Sequence, residues 1–280
     1  MAKANKSFFK QFNSINELIR TLDNAKTSEG WGSCESKSTD DPDHYGYDSY
    51  EEARSMILRG DNELAKQLRG TEKLNINIPV TGMRRKICTR VAGFAPHVPN
   101  YIVGVPNDML WVEEKKAKSP VLTIVYNIGC LGSSSGSLVT KVSARIMSAI
   151  MSAERKGYRI NLFVASAQHE SGSNEDAGFI CKIKDAGQHI DTLKMALPMI
   201  SPAMNRRFGF RFRETLEGIS VSSWRYGYGA SMETGKLENW LKHHGFKYDV
   251  ALAFESVKYI NSVEELEKIF VDAANKIKNK

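Results

Sequence analysis

With 280 residues, 41% of them hydrophobic and 25% charged, the chain can bury a full core without disulfide or metal staples. It contains no run of about 18 apolar residues, so no transmembrane helix is expected. Its four scattered cysteines, with no CxxC pair, read as free thiols of a reducing cytoplasm. The net charge of +7 is unevenly placed: residues 76–120 carry seven basic and three acidic side chains, and residues 121–230 carry thirteen and eight. That positive middle suits nucleic acid or an acidic protein partner.

The first residues, MAKANKSFFKQF, are basic and then aromatic and lack the apolar centre of a signal peptide. Ser14-Ile15-Asn16-Glu17 fits a capping box, and Ile15, Leu18, Ile19 and Leu22 stripe the helix it opens. Phe8, Phe9 and Phe12 are expected to pack beside that helix or to dock a partner. Lys26 to Asp48 reads as a polar loop, with Trp31 plugging a small core and Asp40, Asp41 and Asp43 solvated. Ser49-Tyr50-Glu51-Glu52 opens a helix that Gly60 stops, and Asp61 caps another through Leu68. Met83 to Val91 alternates as a strand or extended arm, with Arg84, Lys86, Cys88 and Arg90 on one face and Arg85, Ile87, Thr89 and Val91 on the other. Three prolines make Ala92 to Pro106 irregular, and Met109 to Val112 is a short strand.

Val121 to Ile128 is almost unbroken apolar, as in a strand buried on both faces. Leu138, Val142, Ile146 and Ile150 recur every four residues, with Val139, Ala149 and Ala153 beside them, so a long helix follows and ends at Gly157. Tyr158 to Ala165 is the next strand. His169 to Ala177 reads as a polar turn, Phe179 to Ile183 as a third strand, and Ile190 to Met199 as a helix broken by Pro198 and Pro202. Met204 to Leu216 carries two periods: Phe208, Phe210 and Phe212 alternate as in a strand, while Met204, Phe208, Arg211 and Phe212 suit a helix. Trp224 to Ser231 is a Gly-rich loop, Glu233 to His244 a helix, Asp249 to Phe254 a fourth strand, and Ser262 caps a terminal helix to Lys278. Strands alternating with helices imply an α/β three-layer sandwich, a mostly parallel sheet with right-handed crossovers. Residues 1–118 are then a mainly helical and irregular extension and residues 119–280 the α/β domain.

In open α/β folds ligands bind beyond the carboxyl ends of the strands, which points to Asn127 through Ser137. The Ser/Gly stretch Gly132 to Ser137 admits four readings. It is a turn with Ser135 or Ser137 as helix cap, or an anion site, although no P-loop lysine follows Gly136. It also matches a nucleophile elbow, with Ser134 as nucleophile, Asp185 or Asp191 as acid and His243 or His244 as base. In the fourth reading an apolar strand, a Ser-Gly-Ser turn, a helix and the strand KGYRINLFVAS resemble the von Willebrand factor A-like fold. That resemblance implies a divalent-cation site using Ser135, Ser137 and Thr192, with Glu255 where an Asp would close it. Asn127 stands where the leading Asp would be, which removes a hard anionic ligand, so a degenerate site with doubtful Mg²⁺ binding and no other cofactor is expected.

A wider pattern runs from Trp31 through Ser49-Tyr50-Glu51-Glu52-Ala53, Gly60-Asp61, Val98-Pro99-Asn100-Tyr101 and Pro202-Ala203-Met204 to Arg206-Arg207-Phe208. It resembles a group of tailed-bacteriophage proteins of unassigned function, implying work in the cytoplasm of an infected bacterium, away from membranes. Two basic clusters, Arg84, Arg85, Lys86 and Arg90, then Arg206, Arg207, Arg211 and Arg213 among aromatics, could contact DNA, RNA or an acidic partner. The competing reading of the second cluster has Phe inside and Arg outside. The function expected is a non-enzymatic phage-encoded interaction protein that binds a host or phage protein through a degenerate von Willebrand A-like domain. A nucleic-acid-associated protein and a serine hydrolase through Ser134 are the alternatives.

Overall fold

Strands and helices alternate along most of the chain in the computed structural model, which describes residues 6–26, 33–36, 43–71, 73–74, 83–116, 120–170, 175–217, 230–260 and 262–278. Trp31, Asp40, Asp41 and residues 224–229, on which the sequence suggested a plug and loops, lie outside these.

β1 (Lys6–Phe12) leads into α1 (Ile15–Asn24), α2 (Tyr50–Arg59) and α3 (Asn62–Gly70). All three helices start at the caps the sequence marked: the side chains of Ser14, Ser49 and Asp61 accept from the amides of Glu17, Glu52 and Leu64. Gly60, at φ 92°, supplies the left-handed turn after α2. Next come β2 (Met83–Arg90), β3 (Ala95–Pro96), α4 (Val98–Ile102) and β4 (Met109–Lys116), then β5 (Val121–Asn127), α5 (Gly136–Arg155), β6 (Arg159–Glu170) and β7 (Glu175–Lys184). α6 (Thr192–Ile200) precedes a π-wound turn, Met204–Gly209, that runs straight into α7 (Phe210–Glu214). β8 (Ala230–Ser231), α8 (Thr234–His243), β9 (Val250–Ala253), α9 (Phe254–Val257) and α10 (Val263–Lys278) complete the described chain.

The large sheet has the order β1-β7-β6-β5-β9, with β8 beside the end of β6. The pairs β1/β7, β5/β6 and β5/β9 are parallel and β6/β7 is antiparallel. The molecule is thus α/β with a mostly parallel central sheet flanked by helices. Strand alternation divides the core in two. Leu122, Ile124, Tyr126, Ile160, Leu162 and Val164 face α1–α3, α5–α7 and α10, whereas Val125, Phe163, Ala165 and Ala251 face α8 through Leu237, Trp240 and Leu241. A second, three-stranded sheet, β2-β4-β3, packs mainly on itself.

Several expectations are corrected. Phe8, Phe9 and Phe12 are on a strand, so Phe12 joins the core that holds Leu18, Ile19 and Leu22 of α1, as expected, while Phe9 turns to the α8 side. Phe12 is fully buried against Phe179 and Phe212, with ring centroids 5.7 and 6.3 Å away, and Phe9 stacks on His244 from the opposite face. The segment before residue 118 thus contributes β1 and α1–α3 to the large core, while its residues 83–116 carry the smaller sheet. The described residues of the stretch 169–177 are strand. β6 and β7 pair antiparallel there, with the His169 ring bonded across to Asp176 and Glu175 paired with Lys6 of β1, so polarity marks cross-strand pairing. Pro198 lies inside α6, which continues until the Ser201 amide reaches Leu197 O. Met204 to Leu216 follows its helical period. Leu138 is 39% exposed, because the buried stripe of α5 runs through Val139, Val142, Ile146, Met147 and Ile150 instead.

Because Phe12 joins β1 to the common core, Phe12→Ala is expected to lower unfolding free energy by about 3–5 kcal/mol. Urea melts followed by circular dichroism and by fluorescence should shift together. An unchanged midpoint would mean that β1 is not part of this core.

Candidate functional site

The carboxyl end of β5, where a ligand was expected, is filled by protein. Asn127 is fully buried. Its Oδ1 accepts from the amides of Gly129 (3.1 Å) and Ala167 (3.0 Å), and its Nδ2 donates to Ala167 O (3.1 Å) and Met232 O (3.3 Å). Both donors and two acceptor positions are thereby used, so this side chain clamps three segments together. Ser231 Oγ adds a bond to Gly129 O at 2.6 Å. Ser135 is the cap of α5, accepting from the Leu138 amide, with the Ser137 hydroxyl 3.2 Å away. Gly136 packs so closely on residue 43 that a Cβ would stand 2.1 Å from Asp43 O.

Thr192 does not join Ser135 and Ser137. It is the first residue of α6, whose opposite end, at Ser201 and Pro202, lines the same cleft as Gly136 and Ser137. A helix of nine residues separates the ends by about 13 Å. Glu255, at the end of β9, is 8% exposed, accepts from the Leu131 amide at 2.8 Å and pairs with Lys258. Burial opposes the Lys258 charge, but the hydrogen bond and charge of Glu255 outweigh it and lift the ammonium above the ordinary lysine pKa. A fixed ammonium thus sits on the carboxylate that the resemblance assigned to a cation. Among the described residues, no group of three or more His, Cys, Asp or Glu side chains is placed to hold a metal ion.

The nucleophile-elbow partners are dispersed. Ser134 is 6% exposed, and its carbonyl accepts from Arg206. Asp191 caps α6 through the Leu193 and Lys194 amides, Asp185 pairs with Lys182, and His244 is bonded to Ser7.

The second basic cluster is inside the molecule. Arg206, Arg207 and Arg213 are at most 1% exposed, so neither sequence reading of them holds. Arg206 donates to His44 O (2.6 Å), Leu131 O (2.9 Å) and Ser134 O (2.6 Å). Arg207 donates to the carbonyls of Cys34, Ser36 and Tyr47 and lies 4.3 Å from the centre of the Tyr45 ring. Burial lowers its pKa, against the opposing charge of Glu35. Arg213 bonds Ser166 Oγ at 3.3 Å, and Arg211, half-buried, lies over Tyr50. A residue with five fixed donors is suited to loop carbonyls that no helix or sheet satisfies.

Of the first cluster, the side chains of Arg84 and Arg85 lie outside the described residues. Lys86 and Arg90 are exposed, and Arg90 reaches Glu113 at 3.4 Å and stacks on Trp111. Around them is the feature that sequence reading passed over. Of the thirteen large apolar side chains exposed among the described residues, nine lie between Ile87 and Trp111. Ile102 and Val103 are 77% and 75% exposed, Phe94 and Tyr101 nearly as much, and α4 buries none of its residues. The available signal was density: apolar and aromatic residues at core frequency in a stretch whose prolines forbid any regular stripe.

A family model described as a domain of unknown function, DUF7192, matches residues 2–274. The chain belongs to this family. No curated protein and no solved structure matches it. The match spans the residues of both sheets.

Two substitutions separate structural from ligand roles here. Arg207→Lys cannot reach three carbonyls with a fork geometry and is expected to cost about 2–4 kcal/mol in urea unfolding. A variant of normal stability with weakened nucleic-acid retention would restore the surface reading. Asn127→Asp places a carboxylate against two carbonyl oxygens and should cost a similar ~2–4 kcal/mol, with no recovery in excess Mg²⁺. A magnesium-dependent rise in melting temperature would restore the cation site.

Proposed function

We infer that the protein is a non-enzymatic interaction protein that docks a partner protein through β2–β4 and α4. One observation carries this reading: the concentration of exposed apolar side chains on residues 87–111. Soluble monomers rarely expose apolar surface on this scale unless something binds it, and interface centres favour aromatic residues and arginine. Lys86 and the Arg90–Trp111 stack border the apolar residues, and the whole segment 76–120 carries a positive excess. The partner is therefore a protein with an apolar centre and an acidic rim.

The α/β body is read as a von Willebrand A-like scaffold whose cation positions have passed to structural work. In support, Asn127 replaces the acid, Ser135 caps α5, and Lys258 neutralises Glu255. Together with the resemblance to tailed-phage proteins, this supports a reading in which the protein works in the cytoplasm of an infected bacterium. No helix among the described residues is long and apolar enough to cross a membrane.

The test is capture from nuclease-treated host lysate by the tagged chain and by Phe94→Asp/Ile102→Asp. The wild type should retain one stoichiometric protein. The double variant, unchanged in circular dichroism and urea midpoint, should bind it at least tenfold more weakly, about 1.4 kcal/mol. Equal capture by both chains sinks the assignment. Protein recovery that depends on intact nucleic acid would move the reading to DNA or RNA contact by Lys86 and Arg90. Self-association of the wild type that the variant abolishes would give the surface to a second copy.

A further inference from the structure

β2 is a strand with one side taken. It pairs with β4 in unbroken antiparallel register, from Met83 opposite Lys116 to Arg90 opposite Met109, and among the described residues it has no neighbour on its other side. In an antiparallel pair every second residue turns its N–H and C=O away from the partner. The outer edge of this eight-residue strand therefore presents a row of backbone donors and acceptors. Natural sheets blunt such an edge with a proline, a bulge, a short strand or charge. β2 holds no proline, and its register with β4 has no bulge. What it carries is charge: Arg84, Arg85, Lys86 and Arg90, with no acidic residue.

That charge selects what can pair there. β2 set against β2 of a second copy would bring four cations to four, and like charges opposite one another across strands are destabilising. An acidic strand meets the reverse condition, and β4 already follows it in part. Glu113 stands opposite Lys86 and Glu114 opposite Arg85, and Glu113 also reaches Arg90 at 3.4 Å. The compensation is incomplete, because Arg84 stands opposite Lys115, and the two strands together hold six basic residues, four on β2 and two on β4, against two acidic ones. The two faces also differ. Opposite residues share a face, so Lys86, Cys88 and Arg90 stand with Glu113 and Trp111, while Ile87 and Thr89 stand with Val112 and Leu110. Ile87 is 62% exposed. A strand laid along the outer edge thus meets cations on one face and an apolar row on the other, in strand period.

We propose that β2 receives its partner by strand addition. An extended segment of the partner, alternating acidic with β-branched apolar residues, lies along the outer edge of β2. Its backbone continues the ladder, its carboxylates take the face of Lys86 and Arg90, and its apolar side chains take the face of Ile87. This rests on the reading of the small sheet as a docking surface and specifies which element of the partner it accepts. The charge of β2 disfavours a second copy of this chain as the added strand.

The experiment titrates the full chain with acetyl-EVEVEVEV-amide. A peptide of the same composition ordered EEEEVVVV, and KVKVKVKV, are the comparisons. Binding is read by anisotropy of labelled peptides, and amide hydrogen exchange of residues 83–90 is read by NMR. In the free protein every second amide of β2 should exchange fast, and saturating alternating acidic peptide should slow those amides at least tenfold. That peptide should bind at least tenfold more tightly than either comparison, and at least tenfold more weakly to Lys86→Glu/Arg90→Glu, whose fold is checked by circular dichroism. Protection of all β2 amides in the free chain overturns the proposal, since the edge is then occupied. So does exchange unchanged by the peptide, equal binding of either comparison peptide, or full affinity in the charge-reversed variant. Failure here, with partner capture still lost in Phe94→Asp/Ile102→Asp, would overturn strand addition and leave the docking surface standing. Peptide binding together with capture unaffected by that variant would uphold the β2 edge and overturn the reading of α4 as a docking face.

Discussion

Charged groups buried against loop carbonyls hold this structure together at the end where its sheet would otherwise be open. Residues 33–36 and 43–48 belong to no long helix and no sheet, so their carbonyl oxygens have no regular partner. Arg206 and Arg207 supply the donors from a single π-wound turn, reaching Cys34, Ser36, His44 and Tyr47 on one side and Leu131 and Ser134 on the other. From that turn both consecutive long side chains point inward. Gly209 accommodates that turn against β6, since a Cβ there would stand 2.1 Å from Ser166 Oγ. These contacts tie the Ser/Gly stretch before α5 to the polar stretch before α2, which also meet where Gly136 packs on Asp43.

The carboxyl end of β5 is closed by contacts of a similar kind. A strand end, a helix N-terminus and an acid just past the neighbouring strand are all present, at β5, α5 and α9. Each polar group there has a protein partner in place of a ligand: Asn127 has backbone, Ser135 has its own helix, Glu255 has an amide and a lysine. Fold and site are separable in this sense.

How much of this was legible depended on the range of the interaction concerned. Helix caps at Ser14, Ser49 and Asp61 were readable because donor and acceptor lie three residues apart. β5, α5 and β6 were readable because their periods are local. β1 was not, since Lys6 pairs with Glu175 and no pattern within seven residues reports a partner that distant. The hairpin of β6 and β7 was hidden by its polar end, where His169 and Asp176 satisfy each other across strands. The arginines misled for a physical reason: a basic aromatic segment looks like a surface unless one knows which distant carbonyls lack donors. The row of Ser7, Asp176 and His169 across three strands was invisible for a related reason, because they become neighbours only once two registers are known.

The position of β1 has a consequence for how the chain is made. Its residues leave the ribosome before those of β7, its strand neighbour among the described residues, which ends at Lys184. The aromatic face that ends at Phe12 must therefore wait, unpaired, while the chain as far as Lys184 is synthesised. Non-local parallel pairing is slow to form, and unpaired strands are the usual entry to misassembly. The alternating lysines at positions 6 and 10 keep one edge of that waiting segment charged, a gatekeeping arrangement for nascent chains in crowded surroundings. A strand made well before its neighbour thus finds its place late, and that edge of the sheet closes only once β7 exists.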